Sequence, residues 1–134
     1  MKTNYERNRA LNARYGDGTY TKPAVVYVGL FLAMPTPTTP GTEVSTGSYG
    51  RVALTNDATA FPDPVDGVVT IAVEVVFPQA TSPGYGTTVG FGIWDDPTAG
   101  NLQDFAQYTG GVVKVVGNGD TPSFPVGSLK LTET

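Results

Sequence analysis

The stretch Ala24-Val25-Val26-Tyr27-Val28-Gly29-Leu30-Phe31 decides the fold class of this chain. It consists mainly of β-branched and aromatic residues, which favour strands. Its positions are apolar on both faces of a strand, and such strands are covered on both sides. The stretch therefore predicts a central strand of a β-sheet.

Other strand-forming segments follow along the chain. The longest covers residues 68–77, with one apolar face formed by Val69, Ile71, Val73, Val75 and Phe77. Shorter ones are predicted at residues 49–54, 87–94, 105–108, 112–116, 123–126 and 129–132. The connections are turn-like and too short for parallel crossovers. We expect a mostly β fold, an antiparallel β-sandwich or jelly-roll-like barrel of about eight strands with a short N-terminal α-helix.

The N-terminal helix is predicted over residues 3–15, which contain neither Gly nor Pro. Thr3 or Asn4 caps it, and Gly16-Asp17-Gly18 ends it. We divide the chain into a helix and cap at residues 1–18, interpreted as a docking element, and a single β domain at residues 19–134. The candidate assembly contacts of the docking element are Arg7, Arg9, Leu11, Arg14 and Tyr15.

Residues 34–41 contain three prolines, which prevent ladder pairing across most of the run. They predict a long, stiff surface loop. It either connects strands or forms a contact arm for a neighbouring subunit. Pro35, Pro37 and Pro40 are therefore added to the candidate contacts.

Composition limits the chemistry that is available. The chain has no His and no Cys, which removes the commonest general base, the thiolate nucleophile and most transition-metal ligands. We predict no enzyme activity, no catalytic residues, no cofactor and no metal site. With 40% hydrophobic and only 15% charged residues, and with 17 Gly and 11 Pro, the chain fits a turn-rich β protein.

Charge is distributed unevenly. The net charge is −4, which argues against nucleic acid as a partner, and no apolar run is long enough to span a bilayer or to act as a secretory signal. The first fifteen residues are basic. They either orient the subunit on an acidic neighbour or form a solvated helix face.

Acidic residues form two small groups. Asp95-Asp96 precedes Pro97 and is interpreted as a turn opener rather than a cation site. The loop with Asp57, Asp63 and Asp66 lacks the EF-hand pattern, although a weak Ca²⁺ site between Asp57 and Asp66 stays open.

The remaining candidates favour structural roles. Gly84-Tyr85-Gly86 and Gly90-Phe91-Gly92 lack a phosphate-loop pattern and are interpreted as strand corners. Glu74 is expected to be partly buried in an ion pair with a partner such as Arg51. Four aromatic residues at strand spacing are assigned to the core: Tyr27, Phe31, Phe91 and Trp94.

Several short segments, in a fixed order, carry a resemblance to a known family. They are Leu11-Asn12-Ala13, Val26-Tyr27-Val28-Gly29-Leu30-Phe31, Gly41-Thr42-Glu43-Val44, Gly47-Ser48-Tyr49-Gly50-Arg51, Phe77-Pro78-Gln79-Ala80-Thr81, Val89-Gly90-Phe91-Gly92-Ile93-Trp94-Asp95, Gly100-Asn101-Leu102, Gly119-Asp120 and residues 124–131. Together they resemble small bacteriophage tail fibre or virion structural proteins, which typically show V-Y-V-A-L-F and G-x-Y-x-R in the second and fourth segments. The chain departs from the family at Gly84-Tyr85-Gly86 and in the proline-rich loop.

The resemblance implies a non-enzymatic virion structural protein, either a tail- or fibre-associated subunit or a capsid decoration subunit. Its expected partners are other virion proteins, capsid or tail, and further copies of itself, with a trimer as one arrangement. The expected location is the virion, assembled in the host cytoplasm. No nucleic acid or membrane partner is expected.

Two alternative functions, a binding module and a hydrolase, require different features of the sequence. A receptor- or carbohydrate-binding module on a phage fibre would use Tyr85, Tyr108 and the Asp-rich loop to bind a host surface glycan, provided that these rings are exposed. A carboxylate hydrolase would need two facing carboxylates, which no spacing in this sequence predicts.

Overall fold

A computed structural model describes residues 1–132 as one α-helix and eleven β-strands, and every strand pair is antiparallel. The elements are α1 Asn4–Arg14, β1 Val25–Ala33, β2 Thr42–Glu43, β3 Val52–Thr55, β4 Val68–Thr70, β5 Val75–Val76, β6 Gly86–Thr88, β7 Gly90–Trp94, β8 Leu102–Gln107, β9 Lys114–Val116, β10 Ser123–Phe124 and β11 Lys130–Thr132. The mostly β antiparallel fold with an N-terminal helix is confirmed, with more and shorter strands than expected. Residues 133 and 134 of the predicted β domain lie outside the described part.

Strand β1 is the centre of a five-stranded sheet, as its sequence predicts. One edge of β1 pairs with β7, which pairs in turn with β8. The other edge of β1 pairs with β3 along its first half and with β2 near its end. The N-terminal residues extend the sheet beyond β8, because the Thr3 N–H donates to the Gln103 C=O (2.9 Å).

The main core lies between this sheet and three two-stranded ladders. The ladders are β4–β11, β5–β10 and β6–β9. One face of the sheet contributes Val26, Val28, Leu30, Phe91 and Ile93. The ladder side contributes several buried residues, among them Ile71, Val75, Phe77, Val116, Phe124 and Leu129. Burial of these side chains is the main force that holds the two layers together.

The opposite face of the sheet has a smaller cluster of Phe31, Trp94 and Phe105. Gly29 lies at the middle of this face. A Cβ atom there would be 2.6 Å from the Trp94 ring and 2.8 Å from the Glu43 carboxylate. A residue with a side chain would therefore displace the groups that cover the sheet.

Those groups form a polar cluster around Arg51. Its Nε and Nη2 atoms each lie 2.8 Å from one oxygen of Glu43, and its guanidinium lies 4.1 Å from the Trp94 ring centroid. The Tyr49 hydroxyl donates to Glu43 (2.6 Å) and accepts the Leu30 N–H (2.9 Å). Burial and this bond to Glu43 raise the pKa of Tyr49. The expected ion pair of Arg51 with Glu74 is wrong, since Arg51 pairs with Glu43 and Glu74 is exposed.

The predicted strand at residues 68–77 is broken in the middle. Its first part, β4, pairs with β11, and its last part, β5, pairs with β10. Between them the Ile71 N–H donates to the Leu129 C=O (3.0 Å) and the Ala72 N–H donates to the Ala60 C=O (2.8 Å). The backbone therefore leaves one ladder for another, although the apolar pattern is continuous.

The predicted strand at residues 87–94 is also divided. Strand β6 pairs with β9, whereas β7 pairs with β1 and β8, so the chain changes layers at Val89. Gly84 and Gly86 have positive φ values of 91° and 97°, which confirms a corner there. Gly90 and Gly92 are not corners, because they lie within β7.

The Arg51 cluster gives a stability prediction. Glu43→Ala leaves the Arg51 side chain, which is 6% exposed, and the Tyr49 hydroxyl without their shared acceptor. We expect a loss of about 3 kcal/mol in the free energy of unfolding, measured by urea denaturation.

Glu74→Ala is the matched control, because it removes an exposed carboxylate from the segment that joins β4 and β5. It should change stability by no more than about 0.5 kcal/mol. Equal losses in the two variants would show that the Glu43–Arg51 pair does not hold the sheet.

Candidate assembly interface

Helix α1 begins where the N-terminal segment leaves the edge of β8. The Thr3 hydroxyl accepts the Glu6 N–H (3.3 Å) and donates to the Leu102 C=O (2.7 Å). Thr3 therefore caps the helix and attaches it to the sheet, which confirms the expected cap. The helix ends at Arg14, and Gly16 follows with a φ of 80°.

The first turns of α1 are fixed by a second polar cluster around Glu6. Glu6 is 5% exposed and lies 3.3 Å from Arg9. The Tyr20 hydroxyl donates to Glu6, and burial together with this bond raises the pKa of Tyr20. Arg9 also donates to the Thr21 C=O (2.7 Å) and stacks on the Tyr20 ring at 4.5 Å. Arg9 thus holds the helix against the chain that follows it.

The proline-rich loop lies next to the start of the helix. The Asn4 N–H donates to the Pro37 C=O (3.0 Å). Thr36 and Thr39 close the loop through two backbone hydrogen bonds of 3.1 and 3.3 Å. Pro35 is buried and Pro40 is exposed. The structure thus brings the two predicted contact elements together on one side of the molecule.

The outer turns of the helix face solvent. Leu11 is 57% exposed and Tyr15 is 63% exposed. Arg14 is exposed as well, with its guanidinium 5.5 Å from the Tyr15 ring centroid, while Arg7 is partly buried. Among the predicted contact residues, Leu11, Arg14, Tyr15 and Pro40 are accessible to a partner, whereas Pro35 and Arg9 have internal roles.

The sequence reasoning overlooked Glu6 and Tyr20 as anchors of the helix. A signal for Glu6 is present, because Thr3-Asn4-Tyr5-Glu6 has the spacing of a capping box and Arg9 is three residues further on. No local pattern predicts Tyr20, since its contact with Glu6 depends on how the chain folds back after Gly18.

The adjacent acidic residues Asp95 and Asp96 accept backbone hydrogen bonds within a turn. Asp95 accepts the Asn101 N–H (2.7 Å), and Asp96 accepts the Thr98 and Ala99 N–H groups (3.0 and 2.7 Å). The Ala99 and Thr98 amides lower the pKa of Asp96. The turn interpretation is confirmed. Within residues 1–132 no group of three or more His, Cys, Asp or Glu side chains could hold a metal ion, including the loop from Asp57 to Asp66.

The predicted glycan site is wrong in its aromatic residues. Tyr85 is 1% exposed and donates to the Pro78 C=O (2.6 Å), and Tyr108 is 7% exposed and donates to Thr88 (2.9 Å). Both rings belong to the core cluster, so they offer no stacking surface. The core assignment of Phe31, Phe91 and Trp94 is confirmed.

A comparison with known protein families identifies the family of this chain. The model of the podophage GP4 fiber I protein gp80 family matches residues 1–132. The chain belongs to this family. The match confirms the resemblance to phage tail fibre proteins and identifies the chain as a phage fibre protein, a virion component. No curated protein matches the chain. In the described part of this fibre protein, no helix is long and apolar enough to cross a bilayer.

The helix cap of this fibre protein can be tested directly. Thr3→Ala removes both the cap and the bond to Leu102, so the free energy of unfolding should fall by about 1 to 2 kcal/mol. Thr19→Ala is the control at an exposed position outside the helix. Unchanged urea midpoints for Thr3→Ala would contradict the role of the cap.

The buried tyrosines predict a loss of stability in alkali. Burial raises the pKa of Tyr108 to about 12, whereas a tyrosine in the unfolded chain titrates near pH 10. Because the unfolded chain ionises first, this contribution to stability is complete below about pH 10 and is lost as the pH rises towards 12. Tyr20 and Tyr49 shift in the same direction.

Urea denaturation at several pH values between about 8 and 12 checks this expectation. Tyr108→Phe should reduce the slope of stability against pH, while Tyr15→Phe, at an exposed ring, should leave it unchanged. A stability that stays constant up to pH 12 would show that these tyrosines ionise equally well in the folded chain.

Proposed function

We propose that the chain is a non-enzymatic fibre-associated structural subunit, which binds a neighbouring virion protein through the outer face of α1. One observation carries the proposal: the helix is fixed to the body by its first turns, while Leu11, Arg14 and Tyr15 in its last turns face solvent. A helix that is held in place and keeps its outer side chains exposed is suited to docking.

Charge supports an acidic partner. Residues 1–18 contain four basic residues and two acidic ones, so their net charge is +2. The whole chain has eight basic and twelve acidic residues, which leaves four basic and ten acidic residues, a net charge of −6, for the rest. Opposite charges on the two parts orient the helix towards an acidic surface and keep the body away from it.

The exposed apolar side chains supply the short-range contact. Leu11 lies in α1, and Tyr15 follows one turn later as the C-cap of the helix. The Arg14 guanidinium lies beside the Tyr15 ring. An aromatic and an arginine side chain at the centre of a small interface are typical of binding hot spots. Each contact of this size is weak, and several copies in one particle would add affinity through avidity.

The fibre family favours a fibre or tail position over capsid decoration. It also supports a structural role without a reaction. The subunits assemble as homo-oligomers, with a trimer as the simplest fibre arrangement, and the particle is put together in the host cytoplasm.

Complementation of a phage that lacks this gene tests the docking role. Arg14→Glu, and the double variant Leu11→Ser with Tyr15→Ser, should reduce the number of copies per purified particle at least about tenfold, measured by quantitative mass spectrometry. Circular dichroism of each purified variant checks that the fold is unchanged.

Lys130→Glu is the matched control, because it makes the same charge change at an exposed position on β11. It should be incorporated like the unaltered chain. Normal copy numbers for both helix variants would refute docking through α1, and absence of the unaltered chain from particles would refute a virion role.

A further inference from the structure

Strand β3 has one open edge. The Asn56 N–H donates to the Ala24 C=O (2.9 Å), and in an antiparallel pair the residues that bond to the partner strand recur at every second position. The backbone N–H and C=O groups of Leu54 therefore point towards β1. Ala53 and Thr55 alternate with Leu54, and their backbone groups therefore point away from β1. In the described part of the chain β1 is the only ladder partner of β3.

This edge lacks the features that usually protect an edge strand. The sequence Val52-Ala53-Leu54-Thr55 contains no Pro and no charged residue, and Ala53 and Thr55 are exposed. Proteins usually block such edges with charges, prolines or covering elements, because unpaired N–H and C=O groups accept a further strand. The one internal bond at this edge joins the Asp57 N–H to the Thr55 C=O (3.0 Å).

The segment that joins β4 and β5 lies across a groove from this edge. Val73 and Glu74 belong to the stretch between β4 and β5, and within residues 1–132 neither has a ladder partner. The groove between them and β3 has a volume of about 380 Å³. Its apolar surface comes from Leu54, Ala60 and Val73. An inserted strand would pair with the open edge of β3 and fill the groove between this edge and the unpaired segment.

The charged residues of the groove are acidic. Glu74 is exposed, and no ion pair joins it to any residue described in the structure. Asp57 lines the groove too and accepts the Thr59 and Ala60 N–H groups (3.0 and 3.2 Å). The nearest arginine in sequence, Arg51, is neutralised by Glu43. The groove therefore presents negative charge at the rim of an apolar floor.

We propose that this groove binds an extended, positively charged segment of a neighbouring virion protein, which pairs with the open edge of β3 as an additional strand. Backbone hydrogen bonds to the N–H and C=O of Ala53 and to the N–H of Thr55 supply affinity, and Lys or Arg side chains of the segment face Glu74 and Asp57. This surface is separate from α1 and has the opposite charge, so the two surfaces select different neighbours.

Charge also argues against a second copy of the chain as the occupant. A symmetric contact between two β3 edges places Glu74 of one copy near the acidic groove of the other, and like charges across such a contact are unfavourable. A basic segment from a different protein meets no such repulsion.

Hydrogen exchange tests the proposal, with the assembled virion as the probe. The amides of Ala53 and Thr55 should exchange at least about tenfold more slowly in purified particles than in the purified chain. Equal exchange in the two samples overturns the proposal. Slow exchange that already develops in the purified chain as its concentration is raised also overturns it, because the occupant is then a second copy.

A charge reversal tests the chemistry of the occupant. Particles carrying Glu74→Lys should lose the protection of Ala53 and Thr55, to within about twofold of the free chain. Asp63→Lys is the matched control, since it reverses an exposed carboxylate in the neighbouring loop outside the groove. Protection that survives Glu74→Lys, or that is lost equally in both variants, shows that the occupant is not held by the acidic rim.

Discussion

The Arg51 side chain joins three separate parts of the chain. It pairs with Glu43 on β2, donates to the Asp96 and Ala99 carbonyls of the β7–β8 turn (2.7 and 2.9 Å), and covers the Trp94 ring. It therefore joins β2 to the loop between β7 and β8 across the face of the sheet. Such a cluster offsets its desolvation cost only when its donors have acceptors, and each of the three guanidinium nitrogens of Arg51 has at least one.

This cluster explains why the sheet can accept a glycine in its central strand. Gly29 has no side chain, so the Tyr49 hydroxyl, the Trp94 ring and the Glu43 carboxylate approach its Cα closely. The space that a larger residue would fill is filled instead by groups from three other parts of the chain. The centre of the sheet and its polar cover therefore depend on each other.

Features that depend on contacts between distant parts of the chain could not be predicted from the sequence, whereas features with local signals could. The helix and β1 were predictable because their signals are local: a cap three residues before Glu6, and an apolar run that only a covered strand tolerates. The break at residues 71–74 was not, because the apolar pattern continues through it and only the choice of ladder partners interrupts it. Arg51 was assigned the wrong carboxylate for a similar reason. Nothing in the sequence distinguishes Glu43 from Glu74, and only the pairing of β2 and β3 with β1 brings the Glu43 carboxylate to 2.8 Å from Arg51.

For the proposed interface, the sequence predicted two contact elements that lie side by side in the structure, but not the role of each residue. Basic charge predicted the helix as a contact element, and the prolines predicted the loop as another. In the structure the helix and the loop are adjacent, because the Asn4 N–H donates to the Pro37 C=O. Which arginine is structural depends on Tyr20, whose approach has no local signal. The β3 edge shows the converse. Its sequence is that of an ordinary strand, and its lack of charge becomes informative only because none of the described strands pairs with its outer edge.

The chain has no cysteine and therefore no disulfide bond, so its stability depends on packing, and its strands form several short ladders. Short ladders leave more strand ends and edges per residue than a few long strands would, and each open edge is a surface that another chain can complete. In the two contacts proposed above, the positive helix and the negative groove of this fibre protein engage neighbours of opposite charge. Orientation within an assembly follows from that difference in sign, while the strength of each contact comes from the apolar side chains and backbone groups that the ladders leave exposed.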